Sequence, residues 1–532
     1  MTRTTLCILA TFCCGITACT GAGSSPNEAN LGQIGQALTS GTWTSIDLLP
    51  EMGDTPGNVA LLTTGEVFVS GPTWSNSWWR LSTNAAFDGW LGYWNAPWTP
   101  MSSSILGRYS NPAFIAKDGR YWEAGGENTA DGPLNKDNRN QAEIYDPVKD
   151  SWSPLPNDPF HLGLEDAPAT LLADGSTIVA GPTRYCYCEW QFDLTTSTWT
   201  PAAGPGSGQS DEGGSVLLPD GRVFGGSHRF SIYQPSDGSQ VSTAPTTPAT
   251  DAFVAREGEL GAMLLLPSGK VLVLGSNSHN GIYSPADDAW ETGRDGVVGM
   301  VADTPGGLNH SDTSAVVEPN GRVLAVCTDP GITDGTGSST LYEYSPDDDV
   351  WISVPTIPGL GAAGNVRMLA VPEPNDSAGV GLVMVTGGGG KAWFYKPDSS
   401  TPPSDSWRPS VSSAWTAFGT FHVRGTQLNG LTTGADIGDD GKMATNYPIA
   451  WVEDVNDPYN TAFLTRTFNF DQMAPRPSTE GVFSFTIPEA YPGWANGTWH
   501  VHVAANGLEA SNTVDLTVTD DRGWGFIPVL QL

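Results

Sequence analysis

The sequence predicts an all-β protein built from seven small antiparallel sheets, followed by a second β domain. Three observations carry this. A phrase made of an apolar run, a turn ending in Gly and a second apolar run recurs seven times, with turn glycines at Gly65, Gly119, Gly175, Gly221, Gly269, Gly321 and, in a degenerate form, Gly379. These glycines stand 54, 56, 46, 48, 52 and 58 residues apart, a period that signals stacked or radially arranged units too small to bury a core alone. From about Ser412 the period stops, but short alternating runs bounded by Gly, Pro, Asn and Asp continue to the end.

The first 19 residues read as an export leader. Arg3 supplies the positive start, Leu6 to Ile16 a short apolar stretch, and Ile16-Thr17-Ala18-Cys19 matches the bacterial lipobox, in which Cys19 is lipidated. The stretch is too short for a transmembrane helix, and no other segment is long and apolar enough to span a bilayer. Residues 20–41, rich in Gly, Ser, Asn and Ala, suit a flexible tether to a membrane. The expected localisation is therefore the bacterial cell envelope, by lipid anchor to the outer membrane or cell surface, or secreted.

Within each unit an Asp-Gly, Asn-Gly or Ser-Gly step joins two apolar runs, a hairpin signal because these residues tolerate positive φ. The second run often ends in paired glycines, as at Gly125-Gly126 and Gly225-Gly226. A Tyr-x-Pro phrase follows at Tyr145, Tyr233, Tyr283 and Tyr344, and a late Trp closes most units: Trp98, Trp152, Trp199, Trp290, Trp351 and Trp407. These features resemble the kelch repeat, which implies a seven-bladed β-propeller over residues 42–411, with the late Trp packed between neighbouring sheets. Trp43 and Trp407 compete for the place that closes the ring.

The formal charge of −33 argues against nucleic acid or anionic lipid as a partner. With Cys19 lipidated, Cys186, Cys188 and Cys327 remain, enough for at most one disulfide.

Residues 412–532 carry runs such as Ile449 to Val452, Val482 to Ile487, Thr498 to Val503 and Val514 to Val518, a pattern that suggests an Ig-like β-sandwich. A kelch propeller followed by such a sandwich resembles the copper-radical oxidases, galactose oxidase and glyoxal oxidase. In that family copper is held by a Tyr-His pair, by a second Tyr cross-linked to Cys, and by a His of the sandwich domain. The nearest phrase to the Tyr-His pair runs from Asn309 and His310 to Gly321-Arg322-Val323, but the ligand places fall on Ser311 and Asp312. The sandwich phrase aligns with Thr465 to Met473, where Arg466 stands for the His. Tyr185 and Cys186 are strand neighbours that point to opposite faces, so they do not make the cross-link alone. Copper is therefore not expected, unless His310, His500 or His502 rebuild a site.

The same register before the turn glycines is acidic: Glu165 and Asp166, Asp211 and Glu212, Glu259, Asp312, with Asp54 one place further out. These carboxylates predict an acidic mouth that binds Ca²⁺ or a cationic ligand, although capping of solvent-facing strand starts explains them as well. A second candidate is the aromatic crowd of Trp74, Trp78, Trp79, Trp90 and Trp94, a platform for stacking on sugar rings or else packing between blades. Asp436, Asp439 and Asp440 form a weaker Ca²⁺ candidate. The expected function is non-catalytic recognition of a cell-surface glycan or an envelope protein. The alternatives are a galactose oxidase-like enzyme with a rebuilt metal site, a glycan-cleaving enzyme using carboxylates such as Asp312 and Glu212, or a purely structural scaffold of the envelope.

Overall fold

Each of the seven turn glycines adopts a positive φ, from +60° at Gly379 to +88° at Gly221, the left-handed region in which a side chain is strained. The glycines thus set hairpins, and the hairpins set the sheets. The computed structural model describes residues 40–518 apart from 54, 73–74, 83–91, 94–95, 127, 130–140, 158–163, 165–167, 182–188, 203–212, 243–251, 256–258, 375, 418–419, 439–440, 457–461 and 488–496. The described residues belong to one compact unit, Thr39–Leu532. They contain no α-helix. The leader, the lipobox Cys19 and nearly all of the tether lie outside the described residues.

The repeats form seven antiparallel meanders of four strands. Their innermost strands are Val59–Leu61, Ala113–Ile115, Ala169–Leu171, Gly214–Leu217, Met263–Leu265, Ala315–Val317 and Arg367–Val371. Hydrogen bonds join neighbouring sheets around a ring: Asn58 Nδ2 to Asn111 Oδ1 (2.7 Å), Lys117 N to Gly175 O (2.9 Å) and Thr170 Oγ1 with Ser215 Oγ (2.7 Å). Ser314 Oγ donates to Val366 O (2.8 Å) between the sixth and seventh sheets. The seventh sheet takes its outer strand from the start of the chain: Thr42–Asp47 pairs antiparallel with Lys391–Lys396, setting Trp43 opposite Tyr395. Trp43, not Trp407, holds the closing position; Trp407 packs over Gly321 instead. The fold is all-β and propeller-like.

The late tryptophans act between sheets. The indole N–H groups of Trp98, Trp152, Trp199 and Trp351 donate to the carbonyls of Asp47, Ser102, Pro156 and Ala302, each belonging to the preceding unit. The Tyr-x-Pro tyrosines add a second clamp. Tyr145 and Tyr344 donate to Asp150 and Asp349, which accept in turn from Ser102 N and Ala302 N of the preceding unit. Tyr344→Phe removes one of these donors and leaves the carboxylate short of a partner, so we expect a stability loss of about 1–2 kcal/mol by chemical denaturation.

The residues after 410 form two further antiparallel sheets. One contains Ser410–Ala417, Thr420–Thr426, Glu480–Thr486 and Arg466–Phe468; the other is centred on Ile449–Asp454 and Gly497–Ala505. Buried Val423, Phe483, Phe485, Trp451, Trp499, Val501 and Leu516 lie in the same continuous core as the ring. Two connections lock this region to the ring. The hairpin Gly434–Ile437 with Gly441–Ala444 enters the ring and pairs with Ala315–Val317, extending the sixth sheet to six strands. A strap then crosses the turn end. Thr467 N, Phe470 N, Met473 N and Arg476 Nε donate to the carbonyls of Thr63, Lys117, Ala173 and Pro219. Each acceptor lies two places before a turn glycine, so a three-residue step along the strap matches the step from one sheet to the next.

Candidate functional site at the mouth of the ring

The strap crosses four of the seven turns at the turn end, and the opposite end, where the innermost strands begin, is the mouth. The inserted hairpin reaches this end. Gly438 packs against the carbonyl of Leu260, and Gly441 and Met443 lie beside Asn58, Asn111 and Arg367. Lower down, the hairpin and the innermost strands of the second to fifth sheets enclose a cavity of about 40 Å³, lined by residues including Phe114, Thr170, Ser215, Met263, Asp436 and Tyr447. That is room for a few waters and no more.

Of the acidic mouth residues, Asp54, Glu165, Asp166, Asp211 and Glu212 lie outside the described residues. Glu259 and Asp312 are both half-buried, and the hydroxyl of Ser311, beside Asp312, donates to the backbone carbonyl of Glu259 (3.0 Å), which brings the mouths of the fifth and sixth sheets together. Asp312 has a φ of +52°, and its carboxylate packs against Gly335 and Gly364. A left-handed non-glycine residue carries strain of about 1–2 kcal/mol, which its neighbours must hold in place. Asp436 is corrected from a Ca²⁺ ligand to a structural anchor: it is buried in the hairpin, and its carboxylate accepts the Met263 N–H at 3.0 Å. Asp439 and Asp440 lie outside the described residues.

Two members of the aromatic platform are also corrected. Trp78 and Trp79 are buried, only 2% and 6% exposed. Trp78 stacks on Phe68 at 4.2 Å and packs against Tyr121 and Trp152 in the core between the first two sheets, so its ring has no face left for a sugar. Tyr93 is buried as well and donates to Gly65 O. Trp74, Trp90 and Trp94 lie outside the described residues.

The histidines proposed for a rebuilt metal site have other partners. His310 is fully buried, its Nδ1 on Val326 O (2.8 Å) and its Nε2 on Thr304 Oγ1 (2.9 Å), with the ring stacked on Trp351. A carbonyl oxygen can only accept, so Nδ1 is protonated and Nε2 accepts the Thr304 hydroxyl. Burial drives its pKa down to about 4. His500 and His502 do share a face of one strand, but each meets carboxylates: His500 meets Asp515, and His502 meets Glu509 and Glu453. Arg466 is seated at the turn end, donating to Asp118 O (2.8 Å) beside the Phe468 ring, and burial lowers its pKa. Cys327 is a buried free thiol whose pKa burial pushes up; Cys186 and Cys188 lie outside the described residues.

Sequence reasoning missed Tyr109, Asn365 and Arg367. The Tyr109 hydroxyl donates to Asn365 Oδ1 (2.6 Å), and the Arg367 guanidinium lies 5.1 Å above the Tyr109 ring. The available signal was Arg367 opening a strand that is otherwise apolar, Met368 to Val371.

No family model and no curated protein matches the sequence. Among solved structures, the chain is similar to a fungal alcohol oxidase of the AA5 family in complex with copper, with 14% identity, a TM-score of 0.50, and coverage of 90% of this chain and 100% of that one. It is also similar to YCF48 bound to a D1 peptide, with 15% identity, a TM-score of 0.40, and coverage of 68% of this chain and 97% of that one. The alcohol oxidase likeness is one of backbone. It establishes an oxidase-like, all-β fold.

Proposed function

We propose that this protein is a recognition module on the oxidase scaffold: a seven-bladed kelch-type propeller with an Ig-like C-terminal domain, exported and lipid-anchored through Cys19. Its mouth loops bind a cell-surface glycan or an envelope protein without chemical turnover. The observation that carries this reading is the fate of the imidazoles. Copper-radical chemistry needs imidazole and phenolate ligands converging on one metal. In this chain His310 is locked between Thr304 and Val326, and Arg466, a cation, holds a turn carbonyl. These residues do not fit copper. The strap crosses four turns at the turn end, so a partner would meet the loops at the mouth, where Ser311 ties the sixth sheet to the Glu259 carbonyl of the fifth.

The test is a glycan array with the purified protein, run with Ca²⁺ and again with chelator, alongside peroxide release after copper loading. Specific glycan binding without peroxide supports recognition, and its loss on chelation assigns a cation to the acidic mouth. Copper-dependent peroxide from a primary alcohol would replace this reading with an oxidase.

A further inference from the structure

The buried arginines of this protein differ in one respect. Arg108 is paired with Glu143 and Glu123, and Arg322 with Glu343. Arg367, 2% exposed, makes no ion pair among the described residues. Its Nη1 donates to Gly364 O (2.6 Å) and Val366 O (3.2 Å), while Nη2 is buried with no hydrogen-bond partner among the described residues. A buried guanidinium with an idle N–H edge is costly unless something meets it.

The surroundings hold that edge still. Arg367 lies over the ring of Tyr109, which its own hydroxyl pins to Asn365. Ser110, with a φ of +51°, turns the chain from Tyr109 to the fully buried Asn111. Arg367 lines a cavity of about 10 Å³ with Asn58, Asn111, Ala113, Gly441 and Met443. Asp312, the carboxylate beside Gly364, leaves Nη2 unmet.

We propose that Arg367 anchors a carboxylate-binding pocket in the mouth of the ring. One carboxylate oxygen, entering a space about the size of a single water, takes the Nη2 edge, with the remainder of the ligand reaching back toward the mouth loops. Both carboxylate and phosphate match a guanidinium edge, but a planar carboxylate is slimmer behind its entering oxygen than a tetrahedral phosphate and follows it further into a narrow space. The assignment stands whether the mouth serves recognition or catalysis.

Thermal unfolding of the purified protein tests this, with acetate and glucuronate titrated at constant ionic strength against chloride, and phosphate as the bulkier oxyanion. The expected result is a saturable rise in midpoint of roughly 2 °C with both carboxylates. The rise should weaken at least tenfold in apparent affinity in Arg367→Lys, which keeps the charge but loses the fork. Asn58→Asp places a carboxylate in the cavity, at the loss of the Nδ2 donor to Asn111, and should abolish the response; it decides the matter if Arg367→Lys does not fold. An absent response in the wild type, an undiminished one in Asn58→Asp, an equal response to phosphate, or a response to glucuronate alone overturns the proposal.

Discussion

Replacing Arg108 by Met is expected to cost about 3–5 kcal/mol of folding stability, because it strands the buried Glu143 carboxylate without its counter-charge. Arg108, Glu123 and Glu143 are all less than 5% exposed. The guanidinium lies 3.1 Å from Glu143 and 3.4 Å from Glu123, and it also donates to Gly125 O. Glu143 accepts in addition the N–H groups of Ile105 and Leu106. Glu143 and Glu123 are direct partners in the strand register, so neither can move away from the other. Removal of the arginine therefore destabilises the second sheet and the loop that ties it to the first. Chemical denaturation at neutral pH measures the loss. A change below 1 kcal/mol would show that this cluster is solvated rather than buried.

The second large effect is a stability that falls as pH rises. Burial and the neighbouring Glu143 push Glu123 up to about 8, and burial with Glu343 holds Glu318 well above the carboxylate range. Neither oxygen of Glu318 meets a well-aligned hydrogen-bond donor among the described residues, and a buried carboxylate so placed is favoured in its neutral form. The native state then binds protons that the unfolded chain releases. The contribution of these groups is full below the ordinary carboxylate pKa, about pH 4.3, and is lost through neutrality at about 1.4 kcal/mol per pH unit for each proton held. Glu123→Gln with Glu318→Gln should flatten this dependence and raise stability at pH 8, measured as denaturation midpoints between pH 5 and 8. An unchanged slope would refute it.

Much of the architecture was legible because it is local. Positive-φ glycines, period-two strands and the late tryptophans act within one hairpin or between adjacent sheets, where their pattern placed them; Trp407 is the exception, because Trp43 takes its position. The candidate site was less legible. Trp78 and Trp79 carried the composition of a sugar platform, but neighbouring strands bury them; exposure is decided by what packs on a residue, not by its type. His310 looked available beside an acidic residue until Thr304 and Val326, 6 and 16 places away, took both nitrogens.

The sequence by itself determined the seven units, their hairpins, the change of pattern near Ser412 and the unpaired acidity of the chain. The tertiary structure decided what joins distant segments. Thr42–Asp47 closes the ring against Lys391–Lys396, some 350 residues away. The hairpin at 434–444 fills the ring's interior, and the strap at 467–476 spans four turns in register. Arg367 gains its meaning only there, because Tyr109 and Asn111 come from another unit. The physical reason is that periodicity and turn chemistry report local backbone preference, whereas burial and partnership depend on contacts that only ring closure creates.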